Sequence, residues 1–364
     1  MSPTRHTTSR LVLMLVVLAL AACGTTTAAT DSGVDLGTDT GASSGSDAGD
    51  DGGRSDAGPL PACGIGTPLA LTQCVEVARY EADLAVVAME RVPESAHWQT
   101  VQDLCATRLE SLGFVVERHR YATGVNVVGV RTGTTEPNRR VLIGAHYDHI
   151  PGCEGADDNA TGVAGVLEAA RVLTQASYPR TLVAACWDEE ERGLIGSRAY
   201  AARARTNGET IDAYFNFEMI GYSDSTPDSQ RLPTGFSLLF RAAAAEDTRN
   251  QHRGNFVAVI GDPASSAALT SLETYADRIG LRFIPLLIPA SLLASPAIND
   301  LRRSDHAAFW DQSYPGMMIT DTSEFRYDRY HCRAGPDVTA NLDANFASQI
   351  IAMTVGATAE SLGL

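Results

Sequence analysis

Short apolar runs of strand length recur along this chain, and the central ones lead straight into histidine or carboxylate. RVLIGA (140–145) leads into His146-Tyr147-Asp148-His149, and TLVAACW (181–187) into Asp188-Glu189-Glu190-Glu191. AYFNFE (213–218) ends on Glu218, and YPGMMIT (314–320) is followed by a loop to Tyr330-His331. Between the first two runs, Thr161 to Thr174 places Val163, Val166, Leu167, Ala170 and Leu173 on one helical face. Strands alternating with helices specify an α/β fold: a single domain with a mixed, mostly parallel central sheet flanked by helices. TLVAACW reads as a buried strand of the parallel type, apolar without alternation. In open α/β sheets the loops beyond the carboxyl ends of the strands meet at the ligand site. Four segments therefore deliver imidazoles and carboxylates to one rim, and GADDNATG (155–162) adds Asp157 and Asp158.

The remaining elements follow from periodicity. Residues 72–91, 97–112 and 194–205 are predicted helical, with Gly113 as a C-cap for the second. FVVERHRY (114–121) and VNVVGVR (125–131) read as a hairpin. FVAVIGD (256–262) is a strand before a helix at 264–279, and LRFIPLLI (281–288) is a strand or an extended segment because of Pro285. Residues 338–361 are mostly helical. No conformation is legible at 222–253 or 286–306.

The N-terminus has a different character. A twelve-residue apolar stretch, LVLMLVVLALAA, follows Arg5 and Arg10 and ends at Ala22. It is too short for a membrane span and fits a signal-peptide core. Leu20-Ala21-Ala22-Cys23 resembles a bacterial lipobox, so residues 1–22 are expected to be removed and Cys23 lipidated. Gly24 carries no inner-membrane retention signal, which favours the outer membrane where the host has one, with the protein facing the periplasm or the surface. Residues 24–60 are almost all Thr, Ser, Gly, Ala and Asp, too poor in apolar side chains to offset ordering entropy. They read as a flexible tether, leaving 61–364 as the folded domain.

Composition removes several classes of function. All 28 basic residues are arginine, so chemistry that needs a lysine, as in a Schiff base or a P-loop, is excluded. A net charge of −16 argues against a nucleic-acid partner. Without lysine, carboxylates converging in a water-excluded rim repel one another and need a cation. A divalent metal is the simplest source, and His, Asp and Glu without thiolate suit catalytic zinc.

The motifs HYDHI, GADDNATG, WDEEERGLIGS, NFEMIGY, RSDHAAFW and YH, in this order over 146–331, resemble the co-catalytic zinc aminopeptidases of metallopeptidase family 28. The resemblance implies that family's fold, phosphorylase/hydrolase-like, and two Zn2+ per chain. Carried over residue by residue, it makes His146 a ligand of the first ion and Asp148 the carboxylate that orients it. Asp158 would bridge both ions. Counting back from the downstream GLIGS, Glu191 is a ligand and Glu190 the general base, with Glu189 outside the pair. His331 would complete the second ion's set, and Tyr330 would donate to the oxyanion. Glu218 stands where the family has aspartate on the first ion, with equal charge and longer reach. Asp305 and His306 fall in the family's stretch near the substrate pocket. Asp157 is read as a loop residue, His149 as a surface-loop residue, and His97, His119 and His252 as structural.

Cys153 and Cys332 each flank a candidate ligand and are expected to pair. Cys186, inside an apolar strand, is expected to be a buried free thiol, and the pairing of Cys63, Cys74 and Cys105 stays open. The resemblance implies a metalloexopeptidase, an aminopeptidase that trims peptides from the N-terminus. It is expected to be a monomer, with the N-terminal lipid as its only membrane contact. Two alternatives share the scaffold: a zinc glutaminyl cyclase and a carboxypeptidase. A third is a binding protein that kept the fold.

Overall fold

The computed structural model describes residues 59–364, which lie in one compact unit. The expected signal peptide, Cys23 and the tether up to residue 58 lie outside the described residues. Eight strands form one sheet: β1 (Val115–Arg120), β2 (Val125–Arg131), β3 (Glu136–His146), β4 (Arg180–Trp187), β5 (Thr210–Glu218), β6 (Val257–Gly261), β7 (Phe283–Leu287) and β8 (Met317–Thr320). Their order is β1-β2-β4-β3-β5-β8-β6-β7. Pairs β3–β4, β3–β5, β5–β8 and β6–β7 are parallel; β1–β2, β2–β4 and β6–β8 are antiparallel. The sheet is thus mixed and mostly parallel, as the strand–helix alternation requires.

Helices α1 (Pro68–Thr72), α2 (Val77–Val87), α3 (Ala96–Ser111), α4 (Gly162–Leu173), α5 (Ile195–Thr206), α6 (Phe236–Leu239), α7 (Arg241–Arg249), α8 (Ser266–Ile279), α9 (His306–Trp310) and α10 (Ala344–Leu362) accompany the sheet. The strands sort their side chains with period two. Val141, Ile143, Ala145, Leu182, Ala184 and Cys186 pack with α4 and α10 on one face. Leu142, Val183, Ala185 and Trp187 pack with α5 and α9 on the other. Because both neighbours of β3 run parallel to it, each continuous apolar run is buried on two sides.

This topology positions the site. The chain leaves β3, returns through α4 to β4 on one side, then crosses through α5 to β5 on the other side of β3. The two connections lie on opposite faces, so a crevice opens at the carboxyl end of β3. His146 is the last residue of β3, Glu218 the last of β5, and Asp188–Glu191 directly follow β4.

Several expectations need correction. The helix expected at 72–91 is shorter, α2 over Val77–Val87, because α1 already ends at Thr72, at the turn of Gln73 beside the Cys63–Cys74 disulfide. Thr339–Asn341 is a separate 3-10 turn, so the C-terminal helix starts later, at Ala344. Pro285 is accommodated because β7 is an edge strand, where a missing N–H costs no ladder bond. The 222–253 stretch contains α6 and α7, short helices whose packing periodicity alone could not announce. Cys105 and Cys186 are buried and free.

Asp343 caps α10, accepting hydrogen bonds from the N–H groups of Asn345 and Phe346. Asp343→Ala is expected to lower stability by about 1 kcal/mol in chemical denaturation. An unchanged midpoint would contradict this role.

Candidate metal centre

His146 sits fully buried at the end of β3. Its Nδ1 donates to the backbone carbonyl of Asp148 at 3.2 Å and lies 3.6 Å from the Asp148 carboxylate. That leaves Nε2 as a lone pair, 3.4 Å from Asp158 Oδ1 and 3.5 Å from Glu218 Oε2. On the other side of Asp158, His331 Nε2 lies 3.2 Å from Asp158 Oδ2 and 3.1 Å from Glu191 Oε2. Asp158 therefore faces an imidazole with each oxygen. Ligand-type atoms of His146, Glu190 and Glu218 fall within 4.8 Å of one another, as do those of His149, Asp158 and Glu191.

The local folding that creates this arrangement is readable in the motifs. Gly155 has φ +59, and a Cβ there would lie 2.4 Å from both the Asp158 carbonyl and the His149 ring. Asn159 accepts from Met219 N and Gly162 N and donates to Phe217 O, tying the loop to the end of β5 and so aligning Asp158 with Glu218. Asp157 turns away, accepting from Gly221 N at 2.9 Å; the backbone N–H groups of Asp157 and Asp158 donate to Asp337. Asp148 accepts from the N–H groups of Glu190 and Glu191, which fixes the loop after β4. Glu189 is instead turned to Thr123 and Arg192. Four non-glycine residues here have positive φ: Glu189, Met219, His331 and Cys332. Each costs on the order of 1–3 kcal/mol, and such strain concentrates at functional sites.

The electrostatics demand positive charge. Burial opposes protonation of His146, yet the surrounding carboxylates hold its pKa well above the ordinary range. Burial likewise works against His331, but Asp158 and Glu191 raise it to about 9. Burial pushes Glu190 well up, and Glu218, Asp305 and Glu191 add to this against the pull of His146. His146 Nε2 and His331 Nε2 are buried without a hydrogen-bond partner, and His149 Nδ1 faces Glu191 Oε1 at 2.8 Å. Lone pairs that converge without donors fit divalent cations bound by nitrogen and oxygen.

Three features were not visible in sequence. His149 is buried, not a surface-loop residue: its Nδ1 is 2.8 Å from Glu191 Oε1 and its ring stands edge-on to His331. Arg91, fully buried, donates to the carbonyls of Glu154, Gly155 and Asp158 and so braces the loop. Glu218 Oε2 accepts from Ser304 Oγ at 2.6 Å, Ser304 from Asn216, and Asn216 in turn from Tyr214. Trp187 Nε1 completes this buried chain by donating to the Tyr214 hydroxyl.

Tyr330 stacks on His331, and its hydroxyl accepts from Arg303 at 2.9 Å. Cys153 and Cys332 form a disulfide, clamping the loop of His331 to the loop that follows His149. Asp305 and His306, expected near the substrate pocket, are fully buried and do not line the cleft beside Glu218. His306 donates from Nε2 to Leu301 O and packs edge-on against Trp310; Asp305 lies behind Glu190. A cleft opens beside Glu218 and Tyr330, lined in part by Phe236, Phe256, Ile260, Ile284, Leu286 and Met318.

Residues 126–357 match the family model described as peptidase family M28. The chain belongs to peptidase family M28. Among relatives of this M28 chain, the uncharacterised protein YfbL of Escherichia coli (strain K12) is 34% identical over 203 residues, covering 52% of this chain and 58% of that protein. Leucine aminopeptidase 1 of Ajellomyces dermatitidis is 27% identical over 240 residues, covering 62% and 54%. The chain thus spans somewhat over half the length of these curated relatives. The LapA aminopeptidase structure from Legionella pneumophila shares the fold, with a TM-score of 0.60 at 16% identity, covering 81% of this chain and 74% of that one.

His306 supplies a pH test. Burial lowers its pKa to about 3, against about 6.5 when unfolded. The unfolded chain therefore binds the proton first, so this residue's stabilisation is complete above pH 6.5 and is lost as pH falls toward 3. Acid unfolding should be less steep between these values in His306→Gln, whose amide can still donate to Leu301 O. Superimposable native and variant profiles would contradict the assignment.

Proposed function

We propose that this chain is an exported di-zinc aminopeptidase. One observation carries the reading: two buried imidazole nitrogens without a hydrogen-bond partner, His146 Nε2 and His331 Nε2, face opposite oxygens of a single buried aspartate, Asp158. His146, Glu218 and Asp158 would hold the first ion. Asp158, Glu191 and His331 would hold the second, with His149 against Glu191. Zinc, when bound, supplies Lewis acidity and brings the pKa of water toward neutrality.

The protein's own groups do the rest. Glu190, buried beside the first set, takes a proton from the attacking water and passes it to the departing amine. Burial raises the Tyr330 phenol, so it remains a donor. Arg303 occupies a lone pair of that hydroxyl, leaving its proton free for the tetrahedral oxyanion. Trimming from the N-terminus is supported by the similarity to leucine aminopeptidase 1. Export and lipidation at Cys23 are proposed from the Leu20-Ala21-Ala22-Cys23 stretch, and the two disulfides suit an oxidising compartment.

A mixed peptide library incubated with the zinc-loaded protein and read by mass tests this reading. Stepwise loss of N-terminal residues is expected, abolished by a chelator and reduced by about 10²–10⁴-fold in Glu190→Gln. Shortening from the C-terminus would replace the aminopeptidase by a carboxypeptidase. Ammonia loss confined to peptides starting with glutamine would replace it by a cyclase.

A further inference from the structure

The cleft beside Glu218 contains a buried acid that the reaction does not use. Asp247 lies on α7, one helical turn beyond Ala243, and both residues line the cleft together with Glu218 and Tyr330. The Asp247 side chain is 1% exposed, and its Oδ2 faces His252 Nδ1 at 2.5 Å. Oδ1 is buried and has no hydrogen-bond partner among the described residues. Leaving a carboxylate oxygen buried without a donor is costly, and such a group in a native fold calls for something that supplies the donor. His252 satisfies only one side of the carboxylate; the cleft is lined by Phe236, Phe256, Ile284 and Leu286, and its two arginines, Arg231 and Arg303, are paired with Asp328 and Glu324.

We propose that this cleft receives the side chain of the peptide's N-terminal residue, and that Asp247 selects a long apolar stem ending in a cation, as in lysine or arginine. The proposal rests on the aminopeptidase reading above. The aromatic and aliphatic walls cover the methylenes, as they do for any snorkelling basic side chain. The cationic tip gives Oδ1 the donor it lacks, through a charge-assisted hydrogen bond. A stem of equal length without the ammonium leaves Oδ1 unpaired. A site built around a polar group discriminates against an analogue lacking it far more than an apolar pocket discriminates by size.

Lysine and norleucine share the four-carbon stem and differ at its tip, so their amides are the probes. We would measure kcat/KM for release of each residue by the zinc-loaded protein, native, Asp247→Asn and Asp247→Leu. Asparagine keeps the shape and can keep an acceptor toward His252, but presents an amide donor where Oδ1 stood. The native protein is expected to favour lysine by about 10-fold or more, and the ratio should fall below one in both variants. Each ratio is internal to its preparation, so a poorly folding variant does not disturb it. Norleucine released as fast as lysine by the native protein, or a ratio unchanged in both variants, would overturn the proposal and leave the aminopeptidase standing. Release of neither residue would sink both readings.

Discussion

Asp158 holds one imidazole on each of its oxygens, and the fold around it works to keep a crowd of like charges in one buried place. Glu190, Glu191, Glu218 and Asp148 gather around the same point. Water is largely excluded, so their mutual repulsion is weakly screened. Arg91 is the near cation, yet its hydrogen bonds go to backbone carbonyls and leave the carboxylate oxygens unneutralised. Bare, the cluster recruits protons, which is why His331 and His146 are pushed upward. The proposed pair of divalent ions would answer the same demand without protons and leave the imidazole lone pairs for coordination.

The supports are backbone-directed, which explains why such a costly assembly can persist. Asp337 accepts from the N–H groups of Asp157 and Asp158, Arg91 takes the Asp158 carbonyl, and Asn159 stitches the loop to β5. Asp148 holds the start of the β4 loop in the same manner. The Cys153–Cys332 disulfide closes the far side, across the positive-φ pair His331-Cys332. Glutamate at 218 has one more rotatable bond than aspartate. The hydrogen-bond chain from Trp187 through Tyr214, Asn216 and Ser304 ends on its carboxylate and removes that freedom. Partners that orient a ligand carboxylate in this way commonly change metal affinity by about 10–100-fold.

The rim was legible because strand ends are legible: an apolar run buried on both faces stops where polar chemistry begins, as at His146, Asp188 and Glu218. The glycines and polar residues of GADDNATG likewise announced a tight loop whose hydrogen bonds the structure displays. His149 escaped because nothing local distinguishes a buried loop histidine from an exposed one; its burial depends on Gly155 and His331, the latter 182 positions away in sequence. Arg91 escaped for the same reason, acting on carbonyls more than sixty residues distant. The burial of Asp305 and His306 was not legible, because their place in the sequence motif says nothing of the inward turn of α9. The short helices α6 and α7 carry too few turns for periodicity to register, although one of them brings Asp247 to the cleft.

We propose that this cluster is a two-ion site joined through Asp158. Titration calorimetry of the metal-stripped protein with zinc tests it most directly. Two tightly bound zinc ions per chain are predicted, with Asp158→Ala weakening both binding events. A single bound ion, or two whose affinities are untouched by Asp158→Ala, would contradict the account.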